Sequence, residues 1–97
     1  MGIAVEYGEE STAVCLEGAI DIASAAELKA ALLEALERGK AIRVDPGRIT
    51  ELDITAVQLL KAAEAAAKGE GLEFARTAAL PEPVIASLRA AGIEIES

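Results

Sequence analysis

A chain of 97 residues with 9 Lys and Arg against 17 Asp and Glu carries a formal charge of −8, and 22 alanines dominate its 53% apolar content, with only 2% aromatic residues. This is one small acidic domain, whose helices must approach one another closely because alanine buries little area. The absence of histidine and the single cysteine, Cys15, exclude a Ser/His/Asp centre, an internal disulfide and a cysteine-rich zinc site, and the acidity without clustered Lys and Arg argues against nucleic acid as a partner.

Ile3, Val5 and Tyr7 alternate with Ala4 and Glu6, which predicts a strand with one face on a core. The polar segment Gly8-Glu9-Glu10-Ser11 turns the chain back as a hairpin into a second strand, Thr12 to Glu17, ended by Gly18. Cys15 in that strand reads as a small buried hydrophobe, with nothing nearby to lower its pKa and make it a nucleophile. Asp21-Ile22-Ala23 leads to Ser24, which with Glu27 has the S-x-x-E spacing of a capping box. The helix that follows presents Leu28, Leu32, Ala35 and Leu36 on one face, places Glu34 one turn before Arg38 as an ion pair, and stops at Gly39.

Ala41 to Val44 predicts a short apolar strand closed by a turn at Asp45-Pro46-Gly47, after which Ile49 and Leu52 return to the core. A second helix opens at Asp53-Ile54-Thr55-Ala56 and runs to about Lys68, with Ala56, Leu60, Ala63 and Ala67 on one stripe and Gly69 and Gly71 closing it. Leu72 to Ala75 reads as another strand. Pro81-Glu82-Pro83 starts a third helix that buries Val84, Ile85, Leu88 and Ala91 and ends at Gly92, and Ile93 to Glu96 alternates as a short edge strand. The order β-β-α-β-α-β-α-(β) predicts a single α/β domain over residues 1–97, a mixed sheet with helices packed mainly on one face.

The longest stretch free of charge, Ile54 to Leu60, has seven residues, against the roughly twenty a helix needs to cross a bilayer. The first residues lack both the basic start and the long apolar run of an export signal, so the expectation is a cytoplasmic protein without membrane insertion.

One place has the physical character of a site. A short connection delivers Asp53, Ile54, Thr55 and Ala56 onto the first turn of a helix, where unpaired amides and the positive end of the helix dipole favour an anion. A phosphate on the Thr55 hydroxyl, with close to two negative charges, would be stabilised there. The same pattern also serves a purely structural end, with Asp53 as the N-cap and Thr55 as an ordinary first-turn residue. Asp45 and Asp53, eight residues apart, form a conceivable carboxylate pair, although turn formation and capping explain both; neither an activated nucleophile nor a metal-binding cluster is visible, so no catalytic residue, metal or cofactor is expected.

Across essentially its whole length the sequence resembles a STAS domain, the family of bacterial anti-sigma factor antagonists. The resemblance rests on Leu16-Glu17-Gly18-Ala19-Ile20-Asp21 before the first helix, Val44-Asp45 at a strand end, Asp53-Ile54-Thr55-Ala56-Val57 opening the next helix with Leu59-Leu60 behind it, and Leu88-Arg89-Ala90-Ala91-Gly92-Ile93 at the last helix. It implies a non-catalytic regulatory module that binds an anti-sigma factor or Ser/Thr kinase-type regulator, with Thr55 as the phosphoacceptor and a partner surface of Asp21, Ser24, Asp53, Ala56, Gln58 and Leu59. It equally admits a stand-alone subunit, similar to the STAS proteins of lipid-transport machines, that docks on a transporter ATPase without phosphorylation. Three positions depart from the family pattern: Ala56 stands for the usual glycine, Thr55 for the commoner serine, and Pro46 for an apolar residue.

Overall fold

A computed structural model describes residues 2–93. The chain runs through β1 (Gly2–Tyr7), β2 (Ser11–Ile20), a 3-10 turn (Ile22–Ser24), α1 (Ala25–Arg38), β3 (Ala41–Leu52), α2 (Ile54–Gly69), β4 (Phe74–Arg76) and α3 (Glu82–Ala90). The four strands form one sheet in the order β1-β2-β3-β4; β1 is antiparallel to β2, whereas β2 with β3 and β3 with β4 are parallel. The element order is the one expected from the sequence, and the final strand anticipated over Ile93 to Glu96 lies, beyond Ile93, outside the described residues.

Alternation along the strands decides which face is buried. Val14 and Leu16 of β2 and Ile42 and Val44 of β3 point into a single cluster with Leu28, Leu32 and Ala35 of α1, Ala56, Val57, Ala63 and Ala67 of α2, and Val84, Ile85 and Leu88 of α3. Each large aliphatic side chain in that cluster contributes about 1.5–3 kcal/mol relative to exposure. The other face carries Ala4, Cys15 and Asp45 in one cross-strand row and Glu6, Ala13, Arg43 and Ala75 in the next, none of them part of the core cluster.

Two expectations about the strands change. Asp45-Pro46-Gly47 does not end β3, which continues to Leu52, and Gly18 does not end β2, which continues to Ile20. The register explains both. Cys15 to Glu17 on β2 is matched by Asp45 to Arg48 on β3, and Gly18 to Ala19 by Ile49 to Glu51, so β3 carries an extra residue at each of two bulges. Pro46 sits at the first bulge and beyond the last residue paired with β4, where its missing amide costs no ladder bond, and the Asp45 carboxylate accepts from the Gly47 amide at 3.0 Å. Gly18, at φ 76°, supplies the left-handed conformation on the facing strand.

Side chains bring further corrections. Ser24 makes no side-chain cap bond, so the expected box with Glu27 is absent: Asp21 caps instead, accepting from the Ala23 amide at 3.0 Å and from the Ser24 hydroxyl at 3.4 Å. Glu34 and Arg38 form no ion pair among the described residues. Arg38 reaches across to the hairpin, donating to the buried Thr12 hydroxyl at 2.8 Å, to the Ser11 carbonyl at 3.4 Å and to the Gly8 carbonyl at 3.0 Å, with its guanidinium over the Tyr7 ring. Cys15 is half-buried on the open sheet face rather than in the core, and Ala91 is exposed. Burial first, then Glu6 and Asp45, push the Cys15 thiol up, as a group that is no nucleophile requires.

Candidate functional site

The parallel pairing of β2 and β3 creates the site. Ile20 pairs with Leu52, so both strands end at the same level, and the Asp53 amide donates to the Ile20 carbonyl at 2.9 Å. The two chains then leave the sheet side by side into helix starts, each opened by an aspartate. Asp21 caps the 3-10 turn before α1; Asp53, extended at φ −74° and ψ 154°, caps α2 by accepting from the Thr55 amide at 2.8 Å. Such a cap is worth about 1 kcal/mol.

Thr55 is the second residue of α2 and is half-buried. Its hydroxyl has no hydrogen-bond partner among the described residues, so it contributes no bond to the fold and remains open to solvent at the positive end of a 16-residue helix. Asp21, Ser24 and Asp53 are half-buried, Gln58 is exposed and Leu59 half-buried. Ala56 is a correction: at 0% exposure it belongs to the core under the site and presents nothing to a partner. Its methyl group therefore points away from the surface from which Thr55 is approached.

Two residues that the sequence reading passed over complete this end of the molecule. Ile22, in the 3-10 turn, is 72% exposed, and Ile54, the first residue of α2, is 51% exposed. Each follows its capping aspartate, which fixes the local backbone so that the next side chain projects outward. A signal existed in the sequence: both isoleucines fall off the 3.6-residue stripe of the helix they precede or open. Asp45, by contrast, lies on the open sheet face with its carboxylate turned to Gly47, so it makes no acid–base pair with the capping Asp53.

Among the described residues no group of three or more His, Cys, Asp and Glu could hold a metal ion, and no helix is long and apolar enough to cross a membrane.

Comparison with known proteins agrees with this architecture. None of the curated protein sequences matches the chain. In fold it is similar to the anti-sigma factor antagonist SpoIIAA in its unphosphorylated form, with a TM-score of 0.73 and 16% identity over 93% of this chain and 80% of that one. The phosphorylated form of SpoIIAA, the Bacillus cell fate determinant, gives a TM-score of 0.69 and 17% identity over 95% and 85%. A crystal structure described as Mglu gives a TM-score of 0.69 and 17% identity over 84% of this chain, which spans only 20% of that protein. The family described as "Mlab, STAS domain" matches residues 3–95. The chain is thus a member of the STAS domain family, with the four-stranded mixed sheet and helices of the antagonist fold.

Proposed function

We propose that this domain is a non-catalytic regulatory module of the anti-sigma factor antagonist type, which binds a kinase-type regulator through the end of the molecule carrying Asp21, Ser24, Asp53, Gln58 and Leu59 and is switched by phosphorylation of Thr55. The observation that carries the reading is the Thr55 hydroxyl itself, part-exposed, committed to no hydrogen bond among the described residues and seated in the first turn of α2. The SpoIIAA structures, described in unphosphorylated and phosphorylated forms, support it by analogy of fold. Ile22 and Ile54 give the surface an apolar pair whose burial would drive association.

The chemistry of the switch is electrostatic. A phosphoryl group on Oγ1 adds close to two negative charges within the same turn as the Asp53 carboxylate, which already occupies the Thr55 amide. The helix amides favour the new anion while Asp53 repels it, so modification disturbs the cap as well as the contact surface. A modification shifts binding only through a difference between bound and free states, and a hydroxyl one residue on from the exposed Ile54 would lie within the contact.

A second reading uses the same surface: a stand-alone subunit docked on a transporter ATPase without phosphorylation. The exposed isoleucine pair favours it, since apolar contact suits a standing complex. Incubation with Ser/Thr kinases encoded beside the gene, followed by mass spectrometry, separates the two. Phosphate on Thr55, absent from Thr55→Ala, supports the switch. Stable co-purification of an ATPase subunit that survives Thr55→Ala but not Leu59→Asp or Gln58→Arg, with no phosphate on Thr55, overturns the switch in favour of the docked subunit.

A further inference from the structure

A cavity of about 250 Å³ opens between α2 and the β3–β4 side of the sheet. It exists because β4 is only three residues long and pairs with β3 no further than Val44, so the second half of β3 has no strand partner on that side among the described residues. Leu80, in the connection to α3, comes in to line the gap, with Val44, Pro46 and Leu52 of β3 and Phe74 of β4.

The opposite wall is a single stripe of α2. Val57, Leu60, Lys61 and Glu64 recur at the spacing of one helix face and grade from buried, through half-buried Leu60, to exposed Lys61. Arg76 faces them from the end of β4, on the same side of the sheet as its partner Val44. The lining therefore has polarity along its depth: aliphatic and aromatic carbon within, two cations at the rim. Glu64, the one acid of the lining among the described residues, is paired with Lys68 at 3.5 Å. Two of only 9 Lys and Arg meeting at an apolar cavity is a departure from the pattern of a chain whose charge is −8.

We propose that this cavity binds a single-chain amphiphilic anion, its tail among Val57, Leu60, Phe74 and Leu80 and its carboxylate at Lys61 and Arg76. The volume lies just below the range of about 300–1,000 Å³ typical of drug-sized ligands, which selects a short chain. At about 30 Å³ for each water-sized group, the cavity accommodates on the order of eight such groups. Ligands of this form favour the site because tail burial and headgroup pairing are satisfied together, whereas an alcohol of the same length loses the second.

Titration of the ¹⁵N-labelled protein with sodium octanoate tests the assignment. Saturable amide shifts confined to the cavity lining, including Leu60, Lys61, Phe74, Ala75 and Leu80, are expected. Lys61→Glu, an exposed change that leaves the fold intact, weakens octanoate by about three- to ten-fold and leaves octan-1-ol unchanged. Leu60→Trp fills the cavity and abolishes both; should that variant not fold, Lys61→Glu alone decides. Vesicles containing phosphatidylglycerol distinguish a free acid from a bilayer surface: association with vesicles without saturable octanoate binding overturns the proposal. So do octanoate shifts that fail to saturate, that map to Tyr7 and to Leu33 of α1, large apolar side chains exposed away from the cavity lining, or that are unaffected by Lys61→Glu.

Discussion

The two ends of the central strands are secured by different means. Where β2 and β3 begin, Arg38 of α1 reaches 26 to 30 residues back along the chain to bind the Thr12 hydroxyl and the Ser11 and Gly8 carbonyls, and Lys40 adds a bond to the Glu9 carbonyl. Where they finish, the polar side-chain bonds are local, each spanning two or three residues: Asp21 to Ala23 and Ser24, Asp53 to Thr55. A long-range clamp fixes one end; short caps leave the other with its isoleucines and its threonine hydroxyl presented outward. Recognition surfaces are commonly drawn from parts of a protein whose side chains the fold does not consume, and this molecule divides its polar side chains accordingly.

The contrast makes its strongest prediction at Arg38. Arg38→Ala removes three hydrogen bonds and leaves the fully buried Thr12 hydroxyl without a partner. A loss of about 2–3 kcal/mol is expected, read by urea denaturation or as a fall in Tm of roughly 10 °C or more. A loss below about 0.5 kcal/mol would dissolve the distinction between the two ends. Asp53→Ala comes next, at about 1 kcal/mol for a lost N-cap, with Asp53→Asn close to the parent because asparagine caps equally well.

At the exposed end the same measurement is expected to read almost nothing. Thr55→Ala and Ile54→Ser change stability by no more than about 0.5 kcal/mol, since the hydroxyl makes no bond to the described residues and Ile54 is half in solvent. Under the proposed function the effect of these two variants falls on partner binding, and a pull-down that loses its partner while the denaturation curve stays in place sharpens the comparison. The smallest effect concerns Cys15, midway along β2 between the two ends. Because burial and the Glu6 and Asp45 carboxylates raise its pKa, the thiol stays protonated at neutral pH and iodoacetamide modifies it more slowly than free cysteine, the rate climbing only above the ordinary thiol range. Asp45→Asn removes one opposing charge and speeds the reaction at fixed pH.

Periodicity carried most of the architecture. The stripes at Leu28, Leu32 and Ala35 and at Val84, Ile85 and Leu88 are the ones buried, and Gly39 stops α1 at φ 68° as its position after Arg38 suggests. What escaped the sequence was set by tertiary pairing. Asp45-Pro46-Gly47 has every local mark of a turn, yet parallel pairing with β2 on both sides absorbs it as a bulge. Arg38 has an acidic neighbour at the right helical spacing, yet a buried threonine and two carbonyls form a better nest than a solvated carboxylate. At the candidate site, the capping role of Asp53 and the position of Thr55 were legible from residue types alone, whereas Ile22 and Ile54 were marked only by falling off the helical stripes, and their outward projection depends on how two strand ends are joined.

The double irregularity of β3 has an evolutionary corollary. Between Asp45 and Asp53 lie seven positions, and the two surplus residues among them act as a matched set: each turns the strand over once, and together they restore Leu52 to the core side and deliver the aspartate to the rim beside Ile20. Removing one residue from this interval would leave the downstream segment inverted, burying what should be displayed and displaying what should be buried. Length changes here are therefore tolerated in twos and rejected singly, a parity rule that depends on no particular side chain.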